Sequence, residues 1–154
     1  MPDHKPPRLL AGERETVLAL LQFQRDSFLR STEDVDDDAA VASPVASGTS
    51  LLWLTNHLAD AERTWVLHRF AGTDPAADPP HADTIAGARD RYRATWAAVD
   101  AQIASAELDD PCPPFDTGPP VTLRWIVVHL LEETARHAGH ADILRELHDG
   151  ATGR

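Results

Sequence analysis

Cysteine is almost absent from this 154-residue chain: Cys112 is the only one, so no internal disulfide can form and a cysteine-rich zinc finger or ribbon is excluded. Any metal it binds must be held by histidine and carboxylate. Long apolar runs are missing too. Charged residues interrupt every hydrophobic stretch before it reaches the roughly 20 residues needed to cross a bilayer, so no membrane partner is expected. Basic residues are scarce, 14 Lys and Arg against 25 Asp and Glu, and the formal net charge of -11 repels phosphate backbones and anionic headgroups. Nucleic acid is therefore not an expected partner. The segment Met1 to Pro7 lacks the apolar stretch and cleavage site of a secretory signal, and the expected location is the cytoplasm. With little β-branched alternation, no sheet is predicted.

What the chain does contain is four segments of helical periodicity, separated by stretches rich in Pro, Gly, Ser and Asp. The first is predicted from Gly12 to Asp34, with Val17, Leu18, Leu20, Leu21, Gln24 and Phe28 on its apolar stripe and the acidic run Asp34 to Asp38 ending it. The second follows Pro44. Its N-cap hydroxyls come from Ser47-Gly48-Thr49-Ser50, its stripe is Leu51, Leu54, Leu58, Ala61 and Trp65, and Gly72 stops it after Ala71. The third starts at Asp83 or Thr84, ends near Glu107, and turns Ile85, Ala88, Tyr92, Trp96, Val99 and Ile103 inward. Pro111, Pro113, Pro114, Pro119 and Pro120 rule out helix in the next connection. The fourth opens at the N-cap Thr122 and runs to about His148, before Gly150. An all-α four-helix bundle buries four such stripes against one another, here as one domain over residues 1–154 with flexible ends at 1–10 and 150–154.

The last helix carries polar residues where a bundle helix should be apolar. His129, Glu133 and His137 stand four apart, in one column over two turns. A buried carboxylate is unfavourable when ionised and unpaired, and a divalent cation relieves that while accepting the lone pair of neutral imidazole. The facing helix offers His57 among Leu54, Leu58 and Ala61, a third ligand for a carboxylate and an imidazole of that column. Two imidazoles and one carboxylate suit zinc with an open coordination position, and nickel or iron accept the same donors. A di-iron centre would need a Glu from each of two helices plus two Glu-x-x-His motifs, which are absent. His129 is expected to pack or to hold a ligand, and His140 is left open between the mouth of the site and a helix interface. Asp60 is expected to be solvated or salt-bridged, His4, His68, His81 and His148 to lie at the surface, and Trp65 and Trp96 to join the core.

These residues resemble the DinB-like superfamily of four-helix bundles, and in particular its actinobacterial mycothiol-dependent branch, which includes mycothiol S-transferases. The likeness runs through GERETVLALLQFQRDSFLR, SGTSLLWLTNHLADAERTW and, most specifically, TLRWIVVHLLEETARHAGHADILRELHDGATG. It implies a second-helix ligand at His57 and a fourth-helix pair at Glu133 and His137. Glu133 departs from the commoner three-histidine pattern and matches that of mycothiol-dependent maleylpyruvate isomerase. The resemblance further implies mycothiol as thiol cosubstrate, its sulfur at the open metal position, attacking an electrophilic small molecule to give a thioether; relatives are often homodimers. Such activation is physically coherent, because a divalent ion favours thiolate over thiol. Cys112, in a Pro-rich loop without a basic neighbour, is a poor substitute nucleophile. Arg136 is the candidate cofactor-binding residue, with Arg124 beside it, offering donors to carboxylate or sugar oxygens of the thiol; the plainer reading pairs Arg136 with Glu132. Two other functions fit the same ligands: a metal-dependent hydrolase that activates water, and a non-catalytic metal-binding dimeric bundle.

Overall fold

A computed structural model describes residues 4–115 and 117–152, and among them it contains five α-helices and no β-strand. Helix α1 spans Glu13–Arg30, α2 Asp37–Val41, α3 Leu51–Glu62, α4 Ile85–Ala104 and α5 Leu123–Asp149. Without a break, α3 continues into a π-helical segment, Arg63–Phe70. The four long helices make the expected all-α bundle, with α1 lying along α5 and α3 along α4. No helix among the described residues is long and apolar enough to cross a membrane. Of the ends expected to be flexible, residues 1–3 and 153–154 lie outside the described residues, and residues 4–12 are exposed and non-helical.

The helix boundaries follow local chemistry. Ser50, Thr84 and Thr122 accept the N–H groups of Trp53, Gly87 and Trp125, each filling one vacancy of a helix start. Gly72 and Gly150 end the second and last long helices in left-handed conformations, φ +73° and +76°, which glycine adopts without strain. Two expectations fail here. First, α1 stops at Arg30, and residues 31–34 turn instead of extending it. Second, the acidic run both follows α1 and starts α2: Asp36 caps the Ala39 N–H, and Asp37 and Asp38 sit in the first turn, where the helix dipole favours negative charge.

The core consists of two apolar clusters with a polar layer between them. Leu21, Val66, Val99 and Leu130 belong to one cluster, and Phe28, Leu58, Tyr92 and Ala138 to the other. Between these positions lie the buried Arg25, Glu62, Thr95 and Thr134, one from each long helix. Arg25 grips Glu62 with two parallel bonds, Nε to Oε1 at 2.9 Å and an Nη to Oε2 at 2.5 Å, and its other Nη reaches Asp100 at 2.9 Å. The Tyr92 hydroxyl donates to Oε1 of Glu62 at 3.2 Å. Burial acts against the charge on Arg25, but Glu62 and Asp100 outweigh it and hold the guanidinium firmly protonated. This network corrects the expected stripes. Arg25 takes a core position beside the half-buried Gln24, and Glu62 takes one beside the half-buried Ala61. Trp65 and Trp96, both expected in the core, are half-buried and pack against its two clusters, and Trp65 also meets Phe115, Trp125 and His129.

Candidate metal centre

Thr134 points into the polar layer, and its neighbour Glu133 emerges partly exposed on the next face of α5. The helical repeat places His137 one turn above Glu133 on that face. From α3, His57 crosses to the same point between the buried Leu54 and Leu58. Oε1 of Glu133 accepts from Nε2 of His57 at 3.0 Å and from Nε2 of His137 at 3.1 Å. One ligand atom from each of the three residues lies within 4.8 Å of the others. The two imidazoles meet edge to face, at 80° and 4.8 Å between centroids. Trp53 stacks flat on His57, 6° and 4.8 Å, fixing the plane of that ring.

The electrostatics separate the three groups. Burial acts to raise the Glu133 carboxyl, yet its contacts with His57 and His137 prevail and hold it below the usual carboxylate range. Burial pushes His137 down, more than Glu133 pulls it up, so its imidazole is neutral at neutral pH. Among the described residues no Lys or Arg pairs with Glu133; its ion-pair partners are the two imidazoles. The side chains of His57, Glu133 and His137 are 33%, 20% and 12% exposed, so the cluster opens to solvent on one side.

The other singled-out residues fall into place around it. His140 lies outside the three-donor cluster, but its Nδ1 is 3.2 Å from Nδ1 of His137. His129 turns away and packs between Trp125, stacked at 4.9 Å, and Trp65. Arg136 is exposed and donates to Glu132 at 3.3 Å, while Arg124 pairs with Glu13 and Asp109. Asp60 is bound by Arg91 at 2.5 Å and His81 at 2.7 Å. His68 is not at the surface: it is half-buried against Asp78, which also pairs with Arg63. Cys112 is buried, and burial pushes its thiol up. Sequence reasoning missed Trp53 as the support of His57, although the i, i+4 spacing of Trp53 and His57 carries that signal.

A family model described as mycothiol S-transferase matches residues 16–150 of the chain. Among solved structures, the crystal structure of a conserved protein from Enterococcus faecalis is similar in fold, with a TM-score of 0.69 over 92% of this chain and 99% of that one, at 18% identity. No protein of curated function matches significantly.

Proposed function

The chain belongs to the mycothiol S-transferase family of the DinB-like superfamily, and from that premise we propose that it is a metal-dependent S-transferase, joining mycothiol to an electrophilic small molecule in the cytoplasm. The observation that carries this reading is the convergence of His57, Glu133 and His137. The donor set fits one divalent cation, zinc before nickel or iron. Its three ligand atoms lie within 4.8 Å of one another, close enough that one ion would be held by all three. Glu133 brings negative charge and His137 a neutral ring, the protonation states that ligands require. Partial exposure of all three side chains supports a coordination position left for an outside ligand.

A divalent cation in that place supplies Lewis acidity, favouring thiolate over thiol at neutral pH. The chain's own residues prepare the site. Trp53 fixes the plane of His57, and His140 orients His137 through the far ring nitrogen, keeping Nε2 turned toward the other donors. Arg136 keeps free N–H groups beside the column, and we assign it to polar oxygens of the thiol. The buried Cys112 is unsuited to compete, so the reacting sulfur belongs to the cosubstrate.

Incubation with mycothiol and an aryl halide, followed by mass spectrometry, tests the reading. The expected product is a thioether conjugate that vanishes on chelation and in His57→Ala and His137→Ala variants, both of which lose near-stoichiometric metal. Undiminished metal and conjugation in both variants would overturn it.

A further inference from the structure

Beyond His140, one side chain removed from the donor cluster, lies an apolar groove whose other residues no step above uses. The outer face of α5 is polar from Glu132 to Arg136, then changes character: Ile143 and Leu147 are large, apolar and well exposed. Together with Leu144 they form one wall of a groove of about 340 Å³, whose other wall is Val45 with Ser47 and Thr49. The two hydroxyls of that wall bond each other at 3.0 Å, which satisfies part of their hydrogen-bonding capacity. At one end stands His140, which touches His137 of the triad. On the far side of Leu144 and Leu147, a second hollow of about 290 Å³ runs under Ala39, Pro44 and Leu51.

Resting on the S-transferase reading, we infer that this groove holds the apolar body of an uncharged electrophile, whose reactive carbon extends past His140 toward the donor cluster. Its volume falls within the several hundred Å³ of small-molecule sites, and its lining is mostly apolar, with Ser47 and Thr49 on one wall and His140 at one end. Among the described residues no Lys or Arg lines it, and the chain's net charge of -11 opposes an anion. Anionic electrophiles are therefore poor substrates. For an aryl halide the sulfur forms the new C–S bond, halide leaves with the C–X electron pair, and the thiol proton passes to solvent.

Amide-resolved NMR titration of the zinc-loaded protein tests this without thiol or turnover. The probes are meta-dinitrobenzene, uncharged and unreactive, and dinitrobenzoate, its anionic counterpart. Expected are saturable shifts confined to residues 45–49 and 140–147 with the first probe, and binding at least about tenfold weaker with the second. Ile143→Asp, a change at an exposed position, should weaken the first probe about tenfold or more while metal content and thermal midpoint stay as in wild type. Three results would overturn the inference: no shifts in that segment, equal binding of the anion, or a wild-type dimer that Ile143→Asp dissociates, which assigns the groove to a second copy. Probe binding in a protein that forms no conjugate supports the groove and sinks the transferase reading. Conjugation without probe binding at the groove does the reverse.

Discussion

Glu62 and Glu133 are two carboxylates at the same level of one bundle, and their surroundings are opposite. Glu62, wholly buried, faces the fixed charge of Arg25 in a two-pronged contact and accepts the Tyr92 hydroxyl as well. Glu133 is partly exposed and faces two imidazoles, of which His137 is neutral at neutral pH. A carboxylate with its own guanidinium is complete and acts as structure. One that faces imidazoles in place of a fixed cation gains most from a cation that arrives from outside. The two sites thus differ in what they complete: the polar layer ties α1, α3 and α4 together, and among the described residues the cluster beside it has no Lys or Arg of its own.

The sharpest way to break this contrast is to remove the partner of Glu62 and to neutralise Glu133 itself. Arg25→Met leaves a buried charge unpaired and should destabilise the fold by about 3–5 kcal/mol, while adding Glu62→Leu should restore most of the loss. Denaturant unfolding of the three proteins measures this, and a mild single variant would remove the structural role of the layer. Glu133→Gln should behave oppositely. Its metal-free stability should stay within about 1 kcal/mol of wild type, since the residue is partly exposed. The stabilisation that wild type gains from metal, about 2.7 kcal/mol at a hundredfold excess over Kd, should largely disappear. Thermal melts with and without zinc report both quantities. Next in size, His140→Ala should weaken metal binding about 10–100-fold without changing the fold, as loss of a ligand's orienting partner does; titration calorimetry would show it, and unchanged affinity would deny His140 that role.

The smallest effect concerns Asp78, a surface counterpart to both glutamates. The Arg63 contact first, and then His68, hold its carboxyl below the ordinary range despite some burial. A depressed carboxyl adds stability that is present above the ordinary Asp pKa of about 4 and is lost as pH falls through the folded value, here by about 1 kcal/mol or less. Amide exchange across residues 73–84 should therefore quicken below about pH 4 in wild type and show no such step in Asp78→Asn.

What could be read from sequence was what local chemistry dictates. The caps Ser50, Thr84 and Thr122 and the stops Gly72 and Gly150 mark α3, α4 and α5 through their own hydrogen bonds and backbone freedom. Helical spacing puts His129, Glu133 and His137 in one column, and His57 follows from the need for a donor on a facing helix, but the choice of Glu133 with His137 over His129 comes from the family resemblance. The remainder depends on contacts between distant segments. Helix α2 is five residues long and is anchored by Asp37 accepting the Ile85 N–H, a partner 48 positions away. Burial of Glu62 depends on Arg25 from another helix, and the π-helical turn after it swings Trp65 toward α5, which no stripe of period 3.6 could foretell. The His140 contact with His137 was spaced for discovery, three residues on, but only side-chain orientation distinguishes it from a solvated histidine.

The central claim is a three-donor site with one place left for sulfur, and cobalt(II) titration of metal-free protein tests it most directly, because the ion's visible spectrum reports its ligands. One equivalent should bind, and adding mycothiol should produce a sulfur-to-cobalt charge-transfer band that is absent without thiol and absent in His57→Ala. Failure to bind a stoichiometric ion, or a cobalt spectrum indifferent to the thiol, would contradict the account.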